Sequence, residues 1–571
     1  MDGIDAAAAA ARAWMAQDPD PVTRSELDAL VASAETEAPD AVAALLSRFD
    51  GRLDFGTAGL RGELGGGPTR MNRVLVAQAA AGLAAYLLGR EPHPTVVIGY
   101  DGRHNSAVFA RDTAEIMQGA GVQATLLPRL LPTPVLAFAV RFLGASAGVM
   151  VTASHNPAAD NGYKVYLGGD DQGSQIVPPA DADIQSEILR VAAGSITDLP
   201  RSTTYLTGGQ YIVDEYRKAT VGTRSGEYRR LSVGAQHGEP AAALPFVYTP
   251  MHGVGLETAR AVFAEAGFRD LTVVPEQAEP DPDFPTVAFP NPEEPGAMDM
   301  AFALAASTGA ELVIANDPDA DRVAVGVPDA TAEGGWRRLS GNEVGWLLGW
   351  QAAQSAGSIG TLACSLVSSP ALGVIATAHG LDWVETLTGF KWISRVPNLV
   401  FGYEEALGYL VDPEKVRDKD GISAAVAVLS LFASLKASGT TFERHLADFA
   451  EKFGGYASSQ ISIRVADLSV IPATMARLRS KPPKKIGGRD VVGVDDYTDG
   501  FEGLPPNDIL RYRFDGGRII VRPSGTEPKL KCYLDAWSTD GDAAARLAAA
   551  AATVEALDAG MRKLLEKPDV A

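Results

Sequence analysis

Short blocks of aliphatic, β-branched residues alternate with longer stretches of helical apolar period, and that alternation organises most of the chain. Residues 1–50 read as helical, alanine-rich and acidic, an extension packed on the first domain. A helix over 74–88 precedes the strand Val96-Val97-Ile98. A helix over 107–118, a strand over 122–127, a helix near 135–143 and the strand Gly148-Val149-Met150-Val151 come next. Strand–helix–strand alternation of this kind predicts a mostly parallel, doubly wound sheet.

The pattern then restarts. A second unit opens at Phe246-Val247-Tyr248-Thr249, with a helix over 256–267, a strand over 271–274, a proline-rich stretch from Pro280 to Pro295, a helix over 298–308 and the strand Leu312-Val313-Ile314-Ala315. A third runs from about Ser340 to 455. The last part changes character, with strand signals at 458–465, 518–522 and 529–535 and an alanine-rich helix over 541–558. The expected fold class is therefore α/β: three doubly wound mixed α/β domains plus a smaller C-terminal α+β domain. The boundaries fall at 1–210, 211–335, 336–455 and 456–571, which agrees with the domain count that 571 residues suggest.

Ligands of open α/β sheets gather beyond the carboxyl ends of the strands, so the loops there are where chemistry is expected. Thr152-Ala153-Ser154-His155-Asn156-Pro157 follows an apolar strand, and Asn156-Pro157 with Asp160-Asn161-Gly162 predicts that Ser154 sits on a loop where the strand stops. Lys164, in Gly162-Tyr163-Lys164-Val165-Tyr166, is expected to return to the same mouth. Asp317, Asp319 and Asp321 alternate along the loop after the 312–315 strand, and a locally extended backbone aims all three to one side. Two carboxylates ~4 Å apart repel by roughly 4 kcal/mol at an effective dielectric of about 20, so three converge only around a cation, and hard oxygen ligands suit Mg²⁺. An EF-hand is excluded, because Arg322 stands where its glycine belongs and Pro328 where its bidentate glutamate belongs.

Arg522-Pro523-Ser524-Gly525-Thr526-Glu527-Pro528-Lys529 offers a guanidinium, hydroxyls, a glycine N–H and an ammonium, a set suited to cradling phosphate. The glycine-dense stretch Phe55 to Gly67, with Arg61 and Arg70, suits a loop whose N–H groups face an anion. Glu404 and Glu405 lie in a glycine-flanked loop and are candidate acceptors for sugar hydroxyls. Taken singly, each stretch is also readable as an ordinary solvated turn. Gly144-Ala145-Ser146-Ala147-Gly148 satisfies G-x-S-x-G but lies between a helix and a strand, the reverse of a nucleophile elbow. The glycines at 119–124 fail the dinucleotide fingerprint for the same reason, and no G-K-[ST] occurs.

Composition narrows the partners. Fifty Lys and Arg against 71 Asp and Glu give a formal charge of −21, which argues against nucleic acid and anionic membranes and requires any phosphate site to be built locally. No apolar run reaches membrane-spanning length. Cys364 and Cys532 belong to no CxxC pair, so neither a disulfide framework nor a zinc site is expected. The first residues lack the basic start and apolar region of a signal peptide, and a cytoplasmic location is expected.

Thr152–Pro157, Asp317–Arg322, Glu404–Gly408 and Arg522–Pro528 resemble, in order, the four active-site loops of the α-D-phosphohexomutases, the phosphoglucomutase and phosphomannomutase enzymes. The resemblance covers roughly residues 50 to 540 and implies that the α/β domains are arranged around a central cleft. Phe55–Gly62, Tyr248–Gly255, Pro280–Glu294 and Leu387–Trp392 further resemble the phosphoglucomutase-2 type branch, which includes phosphopentomutases. The resemblance implies an isomerase that interconverts sugar 1-phosphate and 6-phosphate, glucose or mannose, through a phosphoserine and a bisphosphate intermediate. A pentose 1-/5-phosphate is the alternative substrate, and a metal-dependent sugar phosphatase or a non-catalytic sensor the alternative activity.

By the same resemblance, Ser154 is the phosphoserine and, with Asp317, Asp319 and Asp321, holds Mg²⁺. Arg322 lies beside the metal loop and contacts the phosphoserine or sugar, while Arg61, His155, Lys164 and Lys391 line the reacting centre, with the general acid and base among these four left open. Thr388, Gly389 and Glu404 read sugar hydroxyls, while Arg522, Ser524, Gly525, Thr526 and Lys529 clamp the other phosphate. Glucose 1,6-bisphosphate is the expected activator, and a small phosphosugar the partner. Ala406 stands where the family carries a sugar-loop serine and Tyr403 where it carries a glycine, so the identity of the sugar stays open.

Overall fold

The computed structural model describes residues 2–36, 38–57, 59–222, 244–357, 359–465, 467, 469–524 and 529–566. They divide into two compact bodies: Met1–Gly341 with Phe390–Phe401 and Ala406–Ala433, and Asn342–Gly389 with Gly402–Glu405 and Ser434–Ala571.

In the first body, three helices (Asp2–Gln17, Pro21–Glu35, Pro39–Phe49) form the N-terminal extension. Trp14 and Leu27 pack on Val74 of the helix Arg73–Arg90, which joins the extension to the first sheet's domain. The strands Leu206–Thr207, Gln123–Leu126, Thr95–Tyr100 and Ala147–Val151 of that sheet are parallel neighbours in this order, as the alternation predicts. A second sheet places Leu312–Asn316 parallel to Phe246–Thr249, which is parallel to Leu271–Val273, and adds two antiparallel strands, Val323–Pro328 and Trp336–Arg338. Both delivering strands, 147–151 and 312–316, are buried at every position, consistent with helices covering both faces.

Two expectations are corrected here. Asp160-Asn161-Gly162 is not loop. It opens the strand Asp160–Leu167, which runs antiparallel to Ala147–Val151 on one side and to Leu60–Glu63 on the other. The Ser154 loop is thus a tight connection inside a sheet; the strand that follows it delivers Lys164, and the next strand over, Leu60–Glu63, delivers Arg61. Gly59, at φ +75, is required where these strands begin, since a Cβ there would lie 1.8 Å from the Tyr163 carbonyl oxygen.

The second correction concerns the glycine run. The Gly66 N–H does face an anion, but that anion is Glu26 of the protein's own second helix, at 3.0 Å. Arg48 closes the group by donating to the Gly66 carbonyl and to Glu26, and Arg70 pairs with Glu63. The run fastens the N-terminal extension to the domain.

In the second body, the strands Thr361–Ser365 and Asp382–Thr386 are parallel neighbours. The C-terminal sheet is antiparallel throughout, in the order Gly455–Arg464, Lys529–Ser538, Gly517–Pro523, Leu510–Phe514, Gly493–Asp496. The helix Ala543–Leu565 contributes Val554, Leu557 and Met561 to its core. Cys364 and Cys532 are buried free thiols. Among the described residues no single helix is long and apolar enough to cross a membrane.

Candidate active site

The tight connection after Val151 forces an unusual backbone at Ser154, whose φ is +54. A non-glycine residue in this left-handed region costs on the order of 1–2 kcal/mol, so the surroundings must hold it there. Thr152 Oγ1 accepts from the Ser154 N–H at 2.8 Å, and Asn156 N–H donates to the Ala153 carbonyl. Only 2% of Ser154 is exposed, and its hydroxyl donates to Asp317 Oδ2 at 2.9 Å. The serine predicted from the first domain and the aspartate predicted from the second therefore meet within one body.

Asp317, Asp319 and Asp321 are fully buried, and one carboxylate oxygen from each lies within 4.8 Å of the others. The loop can turn this sharply because Ala320 takes φ +55 and Gly253 allows the Pro318 backbone to approach: a Cβ on Gly253 would sit 2.3 Å from the Pro318 Cα. Cations sit behind the cluster. Lys164 Nζ lies 2.7 Å from Asp319 Oδ2 and 2.9 Å from Asp321 Oδ2, Thr133 Oγ1 donates to Asp319 Oδ2 at 2.6 Å, and Lys419 Nζ stands 3.3 Å from Asp321 Oδ2. The other oxygens, Asp319 Oδ1 and Asp321 Oδ1, are buried and accept no hydrogen bond among the described residues. Buried carboxylate oxygens left without donors are costly, and hard oxygens converging in this way fit a divalent cation.

Electrostatics separate the roles of the surrounding groups. Burial, then Asp319 and Asp321, push the Asp317 carboxyl well above the usual carboxylate range. Burial opposes ionisation of Asp321 too, but Lys164, Lys419 and Arg322 outweigh it and hold its carboxyl below that range. Burial likewise works against the Lys164 ammonium, yet Asp319 and Asp321 keep it protonated beyond an ordinary lysine. Lys164 is a counter-ion to the cluster and a poor base. His155 differs: burial first, then Arg322 and Arg61, hold its imidazole well below its ordinary value. It is neutral near pH 7, with Nδ1 3.3 Å from Ser154 Oγ.

Arg61 lies over the same loop, its Nη1 3.3 Å from Asn156 Oδ1. Arg322 places Nε 3.7 Å from Asp321 Oδ1 and donates from Nη1 to the Ala406 carbonyl at 2.8 Å. Lys391 donates to Thr57 of the Phe55–Gly62 stretch. Two groups that the sequence reading missed belong here. Lys419 bridges Asp321 and Asp418, and Asp418 also accepts from Tyr166 and Gln175. The signal was available in Lys415-Val416-Arg417-Asp418-Lys419-Asp420, a dense charge run before the apolar helix Gly421–Ala437.

The second body contains the remaining predicted residues. The Gly389 N–H donates to Glu404 Oε1 at 2.6 Å, beside the half-buried Thr388. Glu405 Oε2 accepts from Ser365 and Ser368, each at 3.2 Å. Arg522 is the next-to-last residue of one arm of an antiparallel pair, the strand Gly517–Pro523, whose other arm begins at Lys529, and the Ser524 N–H donates to the Lys529 carbonyl at 2.8 Å. Gly525 and Thr526 lie outside the described residues. Tyr533, also missed, connects the two loops: burial, then Glu405, raise its phenol pKa, while Arg522 hydrogen-bonds it and pulls the other way. A lone tyrosine inside a strand carried no signal.

The sequence matches four consecutive domain descriptions of the phosphoglucomutase/phosphomannomutase family: alpha/beta/alpha domain I over residues 52–194, domain II over 231–331, domain III over 340–453 and the C-terminal domain over 461–554. The chain is 54% identical to a "Probable phosphomannomutase" of Haemophilus influenzae, across 87% of this chain and 98% of that one. It is 35% identical to the phosphoribomutase of Saccharomyces cerevisiae, across 94% and 93%. A crystal structure of parafusin, a phosphoglucomutase from Paramecium, shares the fold with a TM-score of 0.66 at 19% identity, covering 91% of this chain and 97% of that one. With a serine against a buried carboxylate triad and all four domains matched in order, the chain belongs to the phosphoglucomutase/phosphomannomutase family and is a phosphosugar mutase, an isomerase.

Proposed function

We propose that this mutase interconverts the 1- and 6-phosphates of glucose or mannose by way of a phosphoryl group carried on Ser154. The observation that carries this reading is the 2.9 Å contact between Ser154 Oγ and Asp317, whose two buried neighbours Asp319 and Asp321 each keep an oxygen that accepts no hydrogen bond among the described residues. Asp317, Asp319, Asp321 and the serine phosphate would hold Mg²⁺, which when bound neutralises charge on the transferring phosphoryl oxygens.

The chain's own groups supply the rest. Phosphoryl transfer depends mainly on positioning and charge compensation, and Arg61, Arg322, Lys164 and Lys419 provide fixed cations around the serine. His155 is the group suited to holding or moving a proton at Ser154 Oγ, because it is neutral and within reach of that atom. Glu404, oriented by the Gly389 N–H, would accept from a sugar hydroxyl. Arg522, Ser524, Gly525, Thr526 and Lys529 would hold the phosphate that is not reacting. A sugar bisphosphate such as glucose 1,6-bisphosphate would load Ser154 and so activate the enzyme.

A pentose phosphate is the second reading, and one observation favours it. Ala406 presents no hydroxyl to a sugar, and its carbonyl is engaged by Arg322. The test is kcat/KM on glucose 1-phosphate, mannose 1-phosphate and ribose 1-phosphate with the bisphosphate present. The hexose reading expects the highest value on one of the first two. A maximum on ribose 1-phosphate selects the second reading, and equal values on all three contradict both.

A further inference from the structure

The nucleophile loop is held from behind by a group that takes no part in the chemistry described above. Arg103 is 4% exposed, and its guanidinium donates to four carbonyls between Ser154 and Asp160, the last of them at the start of the next strand. Nη2 reaches the Ser154 carbonyl at 2.7 Å and the Asn156 carbonyl; Nη1 reaches Pro157 at 2.7 Å and Asp160 at 3.1 Å. Asp101 fixes the arginine in turn: its Oδ1 accepts the Arg103 N–H at 3.0 Å and the Ser106 hydroxyl at 2.6 Å, and its Oδ2 lies 3.5 Å from Nε.

The face of the guanidinium is covered by Phe284, whose ring centroid is 4.9 Å away. Phe284 belongs to the proline-rich stretch of the second domain, which also places Asp283 2.7 Å from His104 and Phe289 6.3 Å from the His155 ring. The Pro280–Pro295 stretch, to which the proposed reaction assigns no part, lies against the back of the serine loop.

We propose that Arg103 is the positioning residue for Ser154: by gathering the carbonyls of residues 154, 156, 157 and 160 onto one planar fork, it holds the serine in its left-handed conformation with the hydroxyl toward Asp317. This rests on the reading of Ser154 as the phosphoryl carrier. The chemistry requires arginine. Two terminal nitrogens of a rigid fork can each serve two carbonyls, whereas a lysine ammonium is a single point with three donors. A displacement of the hydroxyl by about 1 Å is enough to cost on the order of 100-fold in rate. Substrate binding would be untouched, because Arg103 directs all four donations to the protein's own backbone.

The experiment compares wild type, Arg103→Lys, Arg103→Ala and Phe284→Leu for melting temperature, kcat, KM and the about 80 Da mass increment of phosphoserine. Arg103→Lys is expected to lose about 100-fold in kcat with KM within about threefold, while still folding. Guanidinium at sub-denaturing concentration is expected to restore at least about tenfold of the rate of Arg103→Ala and none to Ser154→Ala. Should the Arg103 variants fail to fold, Phe284→Leu decides, with an expected fall in kcat of about fivefold at unchanged KM. Wild-type kcat in Arg103→Lys, a loss confined to KM, or wild-type kcat in Phe284→Leu where the Arg103 variants do not fold would overturn the proposal while leaving the carrier reading intact. Wild-type enzyme that turns over without phosphorylating Ser154 would overturn both.

Discussion

Replacing Lys164 by methionine separates two accounts of the carboxylate cluster. The substitution is nearly volume-conserving, so packing contributes little. What it removes is the ammonium 2.7 Å from Asp319 and 2.9 Å from Asp321, in a place where the lysine itself is only 6% exposed. Breaking a buried ion pair from one side costs about 3–5 kcal/mol, because the charge left behind is uncompensated. The metal-free variant should lose stability on that scale.

A divalent cation held by the cluster would face the same carboxylates and offset the same repulsion, so the loss should shrink in its presence. By linkage, a variant that binds the cation tenfold more tightly recovers about 1.4 kcal/mol at saturation. The assay is thermal unfolding of wild type and Lys164→Met with EDTA and with excess MgCl₂, together with Mg²⁺ titration calorimetry. The expected result is a large deficit in EDTA, a smaller one in Mg²⁺, and a Kd for the cation lowered about tenfold or more. Equal deficits in both media with an unchanged Kd would refute the reasoning. If Lys164 instead served as a base, its loss would remove one limb of the pH–rate profile and leave cation affinity alone.

Three further outcomes rest on named contacts. Because burial and its two neighbours raise the Asp317 pKa in the folded state, its contribution to stability is present in full below the unfolded carboxylate range and is lost as pH rises through the raised value. Melting of the metal-free protein from pH 4 upward should therefore decline less steeply in Asp317→Asn than in wild type, and excess Mg²⁺ should remove the difference. Arg518 is buried against Glu385 at 2.8 Å and Asp535 at 3.0 Å, so Arg518→Met should destabilise by about 3–5 kcal/mol in denaturant titration, with part restored by adding Glu385→Gln. Glu404→Gln should raise KM for the sugar phosphate about 10- to 100-fold in steady-state assays, the equivalent of one charged hydrogen bond.

The parts of the site legible in the sequence were those written in short local signals. Ser154 and the three aspartates stand on loops whose glycines, prolines and alternating carboxylates announce themselves within six residues, and the apolar strands before them mark their place in the sheets. What escaped was set by partners distant along the chain. Asp160-Asn161-Gly162 has the composition of a turn, yet hydrogen bonding to strands on both sides makes it β structure. The glycine run at 65–67 reads locally as a loop open to an anion, but nothing local says that the Gly66 N–H is taken by Glu26, 40 residues earlier. Lys419, Arg103 and Tyr533 act through contacts with residues 321, 154 and 522, which only the folded chain brings near.

The account depends most on Ser154 carrying the phosphoryl group. Intact-mass spectrometry of wild type and Ser154→Ala, before and after incubation with glucose 1,6-bisphosphate, tests this in one measurement when paired with a turnover assay. Wild type should gain about 80 Da on residue 154 and isomerise sugar phosphate, while the alanine variant should gain nothing and be inactive. Mutase activity in Ser154→Ala, or the added mass on any other residue, would contradict it.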